Sequence, residues 1–341
     1  MANYMNSTDV EKVKALLTPG KKIVITTHSN PDGDAMGSSL ALFHYLKKKG
    51  CSPVVIVPTD YPDFLAWMPG DEAVIIYPKK TAMSNQLITE AEIIFCLDFN
   101  ALSRTGDMEN PLRQSGAVKI VIDHHIAPDN FPDFLFSDVS LSSTAEMVYD
   151  FIVSAGDEPL IDRSMGTCLY AGIVTDTGGF QFPVTSPKVH RIAALLIEKG
   201  VNNSEVYEKI FNQFTESRLR LFGYCLVEKM KLFKELKTGL ITLNREELQR
   251  FNVTTGDTEG LVNYPLKIED INFAALIIDR TEKIKLSFRS KGSFDVNAFA
   301  RKHFNGGGHK NAAGGQSNER LEAVVKKFEE VILHYRNELN Y

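Results

Sequence analysis

The run KIVITTHSNPDGDAMGSSLALFHYLKKKG, Lys22 to Gly50, decides how the chain folds. Its first six residues, Lys22–Thr27, predict a strand, and Met36, Leu40, Phe43 and Leu46 then recur with a helical period until Gly50 stops them. PVVIV at 53–57 supplies the next strand, which completes a βαβ unit. EIIFCL at 92–97 and AVKIVI at 117–122 are also continuous apolar runs, the mark of strands buried on both faces. The fold class that follows is α/β: an N-terminal parallel-sheet domain with helices on both faces. Such sheets bind ligands beyond the carboxyl ends of their strands.

Farther along, Ser143 and Glu146 stand at capping-box spacing ahead of MVYDFIV and predict a helix start. Residues 186–237 read as helical without strand candidates, a helical linker. GLITLN, INFAALII and KIKLSFR read as strands, and ERLEAVVKKFEEVILHYRNEL as a closing amphipathic helix. The expected division is a domain at 1–185, the linker at 186–237, and a smaller C-terminal α/β domain with a mixed sheet at 238–341. A length of 341 residues suits two lobes with a cleft, because single cores stop growing at about 250–300 residues.

With 38 basic and 43 acidic residues the net charge is −5, so no overall positive field exists to hold long nucleic acid. Cys51, Cys96, Cys168 and Cys225 form no CxxC pair, which argues against a disulfide framework or structural zinc. No apolar run approaches the ~20 residues that span a bilayer, and the start MANYMNSTDVEKVK is polar, so the expected address is cytoplasmic, without membrane contact.

Acids and imidazoles gather where the sheet would deliver them. His28, Asp32 and Asp34 follow the first strand, Asp98 the third, and Asp123, His124 and His125 the fourth; Asp176 is expected at a further strand end, after Ile173–Val174. Singly, each has a plain structural reading: Asp32 and Asp34 as turn residues beside Pro31 and Gly33, Asp98 or Asp176 as a helix cap. Jointly they fit a pair of divalent cations about 3.5–4 Å apart, which needs several oxygen and nitrogen ligands with one carboxylate shared. Carboxylates mixed with a few imidazoles suit manganese, with magnesium or cobalt as partial substitutes, better than zinc or calcium.

The motifs THSNPDGDAMGS, CLDFN, IDHH and VTDTGGF occur in this order, and SFRSKGSFDVNAFARKHFNGGGHKNAAGG follows. On these the chain resembles the DHH phosphoesterases with a DHH-associated C-terminal domain, in the branch of oligoribonucleases (nanoRNases) and 3'-phosphoadenosine-5'-phosphate (pAp) phosphatases. The resemblance implies two Mn2+ ions, one held by His28, Asp32 and Asp98 and the other by Asp34, Asp98, His124 and Asp176. It also implies His125 as a contact to the scissile phosphate, short RNA or pAp as substrate, and a possible homodimer. Asp123 is expected to orient His124.

Gly306, Gly307, Gly308 and His309 match neither a Walker A loop nor a dinucleotide fingerprint. Close backbone approach and an anion-binding nest are the expected uses of these glycines, with Arg289, Ser290 and His309 gripping a terminal phosphate. The plain reading is a flexible surface loop with a stray arginine. His44, His190, His303, His334 and Trp67 read as structural, and Arg104 as either a phosphate contact or a surface partner of Asp107. Cleavage of linear or cyclic dinucleotides is the enzymatic rival; a nucleotide-binding regulator without catalysis is the rival of another class.

Overall fold

A computed structural model describes residues 4–280 and 283–339. Two compact units divide between Gln213 and Phe214. In the first, the strands are β1 (Lys22–Thr26), β2 (Ser52–Val57), β3 (Ile75–Ile76), β4 (Ile93–Leu97), β5 (Val118–Asp123) and β6 (Phe134–Ser137), in the order β3-β2-β1-β4-β5-β6. Every pairing is parallel.

Side-chain alternation sorts these strands between two cores. Ile23, Ile25, Val55, Phe95, Leu97, Ile120 and Ile122 face helices α2 (Gly33–Lys48), α5 (Thr144–Ser154) and α6 (Arg163–Asp176). Val24, Ile56, Ile94, Cys96 and Val121 point the other way, onto α3 (Thr81–Glu90) and α4 (Glu109–Gln114). The remaining helices here include α1 (Ser7–Leu16) and α7 (Pro187–Glu198). A period of two with both faces apolar is what makes each strand read as an unbroken hydrophobic run.

From β1 the chain builds outward to β2 and β3, then returns to β4 and builds the other way through β5 and β6. The order therefore reverses between β1 and β4, and a crevice at the carboxyl ends follows from that reversal. On one face, α2 and α6 press together at Gly37 and Gly172. A Cβ on Gly37 would lie 2.5 Å from the Cys168 carbonyl, and one on Gly172 would lie 2.6 Å from Ala145 Cβ and 3.0 Å from Asp34 Oδ1. Only glycine fits at this crossing, and the crossing sets where Asp34 sits.

In the second unit the strands are β7 (Lys231–Phe233), β8 (Thr238–Leu243), β9 (Phe273–Asp279), β10 (Ile284–Ser290), β11 (Gly307–His309) and β12 (Ala312–Ser317). Their order is β11-β12-β10-β9-β8-β7, with β8 and β9 parallel and the other pairs antiparallel, so the sheet is mixed. Phe273, Phe288, Phe299 and Phe328 pack one face with the closing helix Leu321–Ile332. Leu221, Phe222, Ile241, Leu243 and Ile278 form the other core.

Several expectations need correction. Strand β7 lies inside the stretch read as free of strands, and β3, β6, β11 and β12 are strands that the sequence reading did not find. Helix α2 starts at Gly33, with the Asp32 side chain accepting from the Asp34 and Ala35 N–H groups, so Asp32 is an N-cap rather than a turn residue. Ser143 does cap α5, but Glu146 Oε2 reaches back to the N–H of Ser142, not of Ser143. Among the described residues no helix is long and apolar enough to cross a membrane.

Candidate metal centre

The end of β1 presents His28, which is buried, with Nδ1 2.9 Å from the Ser29 carbonyl oxygen. That contact needs the proton on Nδ1, and it leaves Nε2 directed at Asp98 Oδ2, 3.3 Å away. Asp98 follows β4 with φ of +62°, a left-handed conformation that Asp tolerates better than most residues. Its N–H donates to the Ile122 carbonyl at 3.1 Å, which ties the turn to β5. On its other oxygen, Asp98 Oδ1 accepts from Thr144 Oγ1 at 3.0 Å and lies 3.5 Å from His124 Nε2. One carboxylate thus faces a histidine on each side.

His124 Nε2 is also 3.3 Å from Asp176 Oδ2 and 3.9 Å from Asp34 Oδ2, while its Nδ1 is 3.3 Å from the Leu141 carbonyl. Asp176 comes from the last residue of α6 and not, as expected, from a strand end. Asp34 is fully buried in the first turn of α2, where Oδ2 accepts from the Thr144 N–H at 2.6 Å and Oδ1 from the Ala145 N–H at 2.8 Å. These amides open α5, so the positive end of that helix holds the carboxylate.

The expectation that Asp123 orients His124 is corrected. Asp123 Oδ1 pairs with His125 Nδ1 at 2.7 Å, and Oδ2 accepts the His125 N–H at 3.0 Å, so Asp123 fixes His125. Asn100, buried and unremarked in the sequence reading, donates from Nδ2 to the carbonyls of His125 and Ile126, both at 3.0 Å. Thr144 is a second omission: the only sequence signal was the capping pattern at Ser143. Arg104 accepts the Ser29 N–H on its carbonyl at 2.8 Å.

Metal-free, these acids cannot all carry charge. Burial first, then the charges of Asp98 and Asp176, push Asp34 well above the usual carboxylate range, with His124 opposing. Burial likewise leads in moving Asp176 up to about 8, with Asp32 and Asp98 adding and His124 opposing. At Asp98 burial acts upward too, but hydrogen bonds with His124 and His28 outweigh it and hold the carboxyl well below its ordinary value. At His124 burial acts downward; the Asp98 hydrogen bond and the charges of Asp176, Asp98 and Asp34 overcome it and raise the imidazole well above its norm. Ligand atoms of His28, Asp32 and Asp98 lie within 4.8 Å of one another, as do those of Asp34, His124 and Asp176. Such a donor set, crowded with acid and short of positive charge, fits divalent cations.

In the second unit, Arg289 Nη1 donates to the Phe288 carbonyl at 2.9 Å. Ser290 Oγ donates to the Phe294 carbonyl at 2.7 Å and accepts from Asn311 Nδ2 at 2.8 Å, so it closes a loop. The glycines form a hairpin of β11 and β12 instead of an open anion nest. The Gly308 N–H donates to Asn297 Oδ1 at 3.0 Å and the Gly306 N–H to the Ala300 carbonyl at 3.3 Å. A Cβ on Gly306 would fall 1.9 Å from the Gly314 carbonyl oxygen, so packing alone requires this glycine. His309 is half-buried at the end of β11.

Residues 22–173 match the model of the DHH family, N-terminal domain, and residues 239–333 that of the DHHA1 domain. The bifunctional oligoribonuclease and PAP phosphatase NrnA of Thermus thermophilus is 34% identical over 305 residues, covering 89% of this chain and 86% of the relative. The chain belongs to the DHH family. Its namesake triplet is Asp123-His124-His125, the end of β5 and the start of the loop that follows. NrnA of Bacillus subtilis, described in the same words, is 30% identical over 299 residues, 86% of this chain and 88% of that protein. An exopolyphosphatase-related protein from Bacteroides fragilis has a solved structure that superposes with a TM-score of 0.95 at 39% identity over 100% of both chains.

Proposed function

We propose that this DHH-family chain is a phosphoesterase using two divalent cations, manganese before magnesium or cobalt, to hydrolyse short oligoribonucleotides and the 3'-phosphate of pAp. The observation that carries this reading is Asp98, whose Oδ2 stands 3.3 Å from His28 Nε2 and whose Oδ1 stands 3.5 Å from His124 Nε2 at the reversal of strand order. His28, Asp32 and Asp98 would hold one cation; Asp34, Asp98, His124 and Asp176 would hold the other. When bound, the cations supply a water acidic enough to give hydroxide near neutral pH and neutralise phosphate oxygens.

The chain's own groups do the rest. Asp123 holds His125 through Nδ1, and Asn100 holds the His125 carbonyl, so the ring stands in one orientation. In its doubly protonated form, Nε2–H of His125 donates to a phosphate oxygen or to the leaving oxygen. Arg289 and His309, in the second unit, bind a nucleotide phosphate. Two- to five-residue labelled RNA, pAp and a cyclic dinucleotide, each incubated with Mn2+, test this by initial rates. Fastest turnover of RNA and pAp is expected. A preference for the dinucleotide would transfer the assignment to that substrate class, and hydrolysis of none would end the enzymatic reading.

A further inference from the structure

We infer that Thr144 is a positioning residue that joins the two halves of the metal centre, an inference that rests on the two-cation reading above. Thr144 is fully buried at the first position of α5, and it touches both central carboxylates through different atoms. Its hydroxyl donates to Asp98 Oδ1 at 3.0 Å, and its N–H donates to Asp34 Oδ2 at 2.6 Å.

The first N–H groups of a helix have no intrahelical acceptor. In α5, Asp34 takes those of Thr144 and Ala145, and the Ser143 hydroxyl takes that of Glu146 at 3.0 Å. Three of the first N–H groups of the helix thus have side-chain acceptors, and the Thr144 backbone is held by the same acid it holds. Its hydroxyl carries that order across to Asp98. Each ring of ligand atoms contains one of these acids, so a residue bonded to one through its hydroxyl and to the other through its N–H sets the relative placement of the rings. The lone pairs of Asp98 that the hydroxyl does not occupy stay aimed at His28 and His124. Without it, Asp98 can rotate toward His28 alone, and the site around Asp34 and His124 loses its shared ligand.

Thr144→Val removes the hydroxyl while keeping the shape and the backbone N–H; Thr144→Ala does so with a smaller side chain; Thr144→Ser keeps the hydroxyl. Full-length proteins are titrated with Mn2+ alone by calorimetry and by electron paramagnetic resonance, which reads the coupling between adjacent Mn2+ ions. Melting curves run in parallel. Wild type and Thr144→Ser should bind two Mn2+ with a coupled spectrum. The Val and Ala variants should keep the first, weaken the second by about tenfold or more, as one hydrogen bond to a charged acceptor warrants, and lose the coupled signal. A two-site, coupled titration in either hydroxyl-free variant overturns the role of Thr144, as does a Ser variant that behaves like Val. Fewer than two Mn2+ on wild type overturns the two-cation reading, and this inference with it.

Discussion

Replacing Gly172 by alanine sets two magnitudes of opposite sign against each other. In a helix interior the change favours folding by about 0.8–1 kcal/mol. At this crossing, however, the new methyl would stand 2.6 Å from Ala145 Cβ, where carbon atoms settle at about 3.5–4.0 Å. Relief requires α5 or α6 to move by about 1 Å, and overpacking of this kind costs about 1–3 kcal/mol. The net effect is a loss of up to about 2 kcal/mol, or a fall in melting temperature of up to about 8 °C for a unit of this size. The same movement draws the Thr144 and Ala145 amides away from Asp34, so Mn2+ affinity should fall by about tenfold or more. Gly223→Ala is the control, because Gly223 sits on the exposed side of the helix Glu216–Tyr224 with nothing within 4 Å of the added carbon. It should gain about 0.4–1 kcal/mol. Differential scanning calorimetry and Mn2+ titration of both variants decide the matter: a Gly172→Ala protein that melts higher, as the control does, with unaltered Mn2+ binding refutes the reasoning.

Further outcomes follow from the same geometry. His125→Ala should lower kcat by about two orders of magnitude or more with metal content intact by elemental analysis, and Asp123→Asn should lower kcat less, because it weakens the bond that orients His125; equal loss of manganese in the His125 variant would contradict this division. Asp176, at about 8 in the metal-free protein, keeps its proton at pH 6 and must release it to a cation. Asp34 and His124, raised as well, must likewise give up protons to bind a cation, so Mn2+ affinity measured by calorimetry should climb by about tenfold or more per pH unit from pH 6 to 8, with at least one proton released. A folded-state value above the unfolded one also means that this carboxyl favours the metal-free fold in acid and loses that contribution between about pH 4 and 8. Mn2+ should accordingly raise the melting temperature more at pH 8 than at pH 6, and a flat response would contradict the assignment. Arg289→Ala should raise KM for pAp more than it alters hydrolysis of a small generic phosphodiester, as steady-state kinetics would read.

How much of this was legible depended on where the information lay. β1, β2, β4 and β5 were readable because burial on two faces leaves a local apolar run, whereas β3 and β6 are edge strands of two and four residues with little run to read. β11 and β12 are built from glycine and alanine, which have poor strand propensity; close backbone packing, not propensity, makes them strands. The gathering of His28, Asp98 and His124 could be foreseen because each follows a strand of one parallel sheet. The bond between Asp34 and the start of α5 could not, since it joins residues 110 positions apart and leaves no periodic trace. Asp32 hid its capping role behind a proline and a glycine that spell a turn equally well.

The bond between Asp34 and α5 also bears on how the protein acquires its ions. A carboxylate already anchored by two amides does not wait for a guest to learn its place, so the receptor keeps its form when emptied. Loading and unloading then follow the supply of ions in the surroundings, without any need for the polypeptide to be made or folded anew.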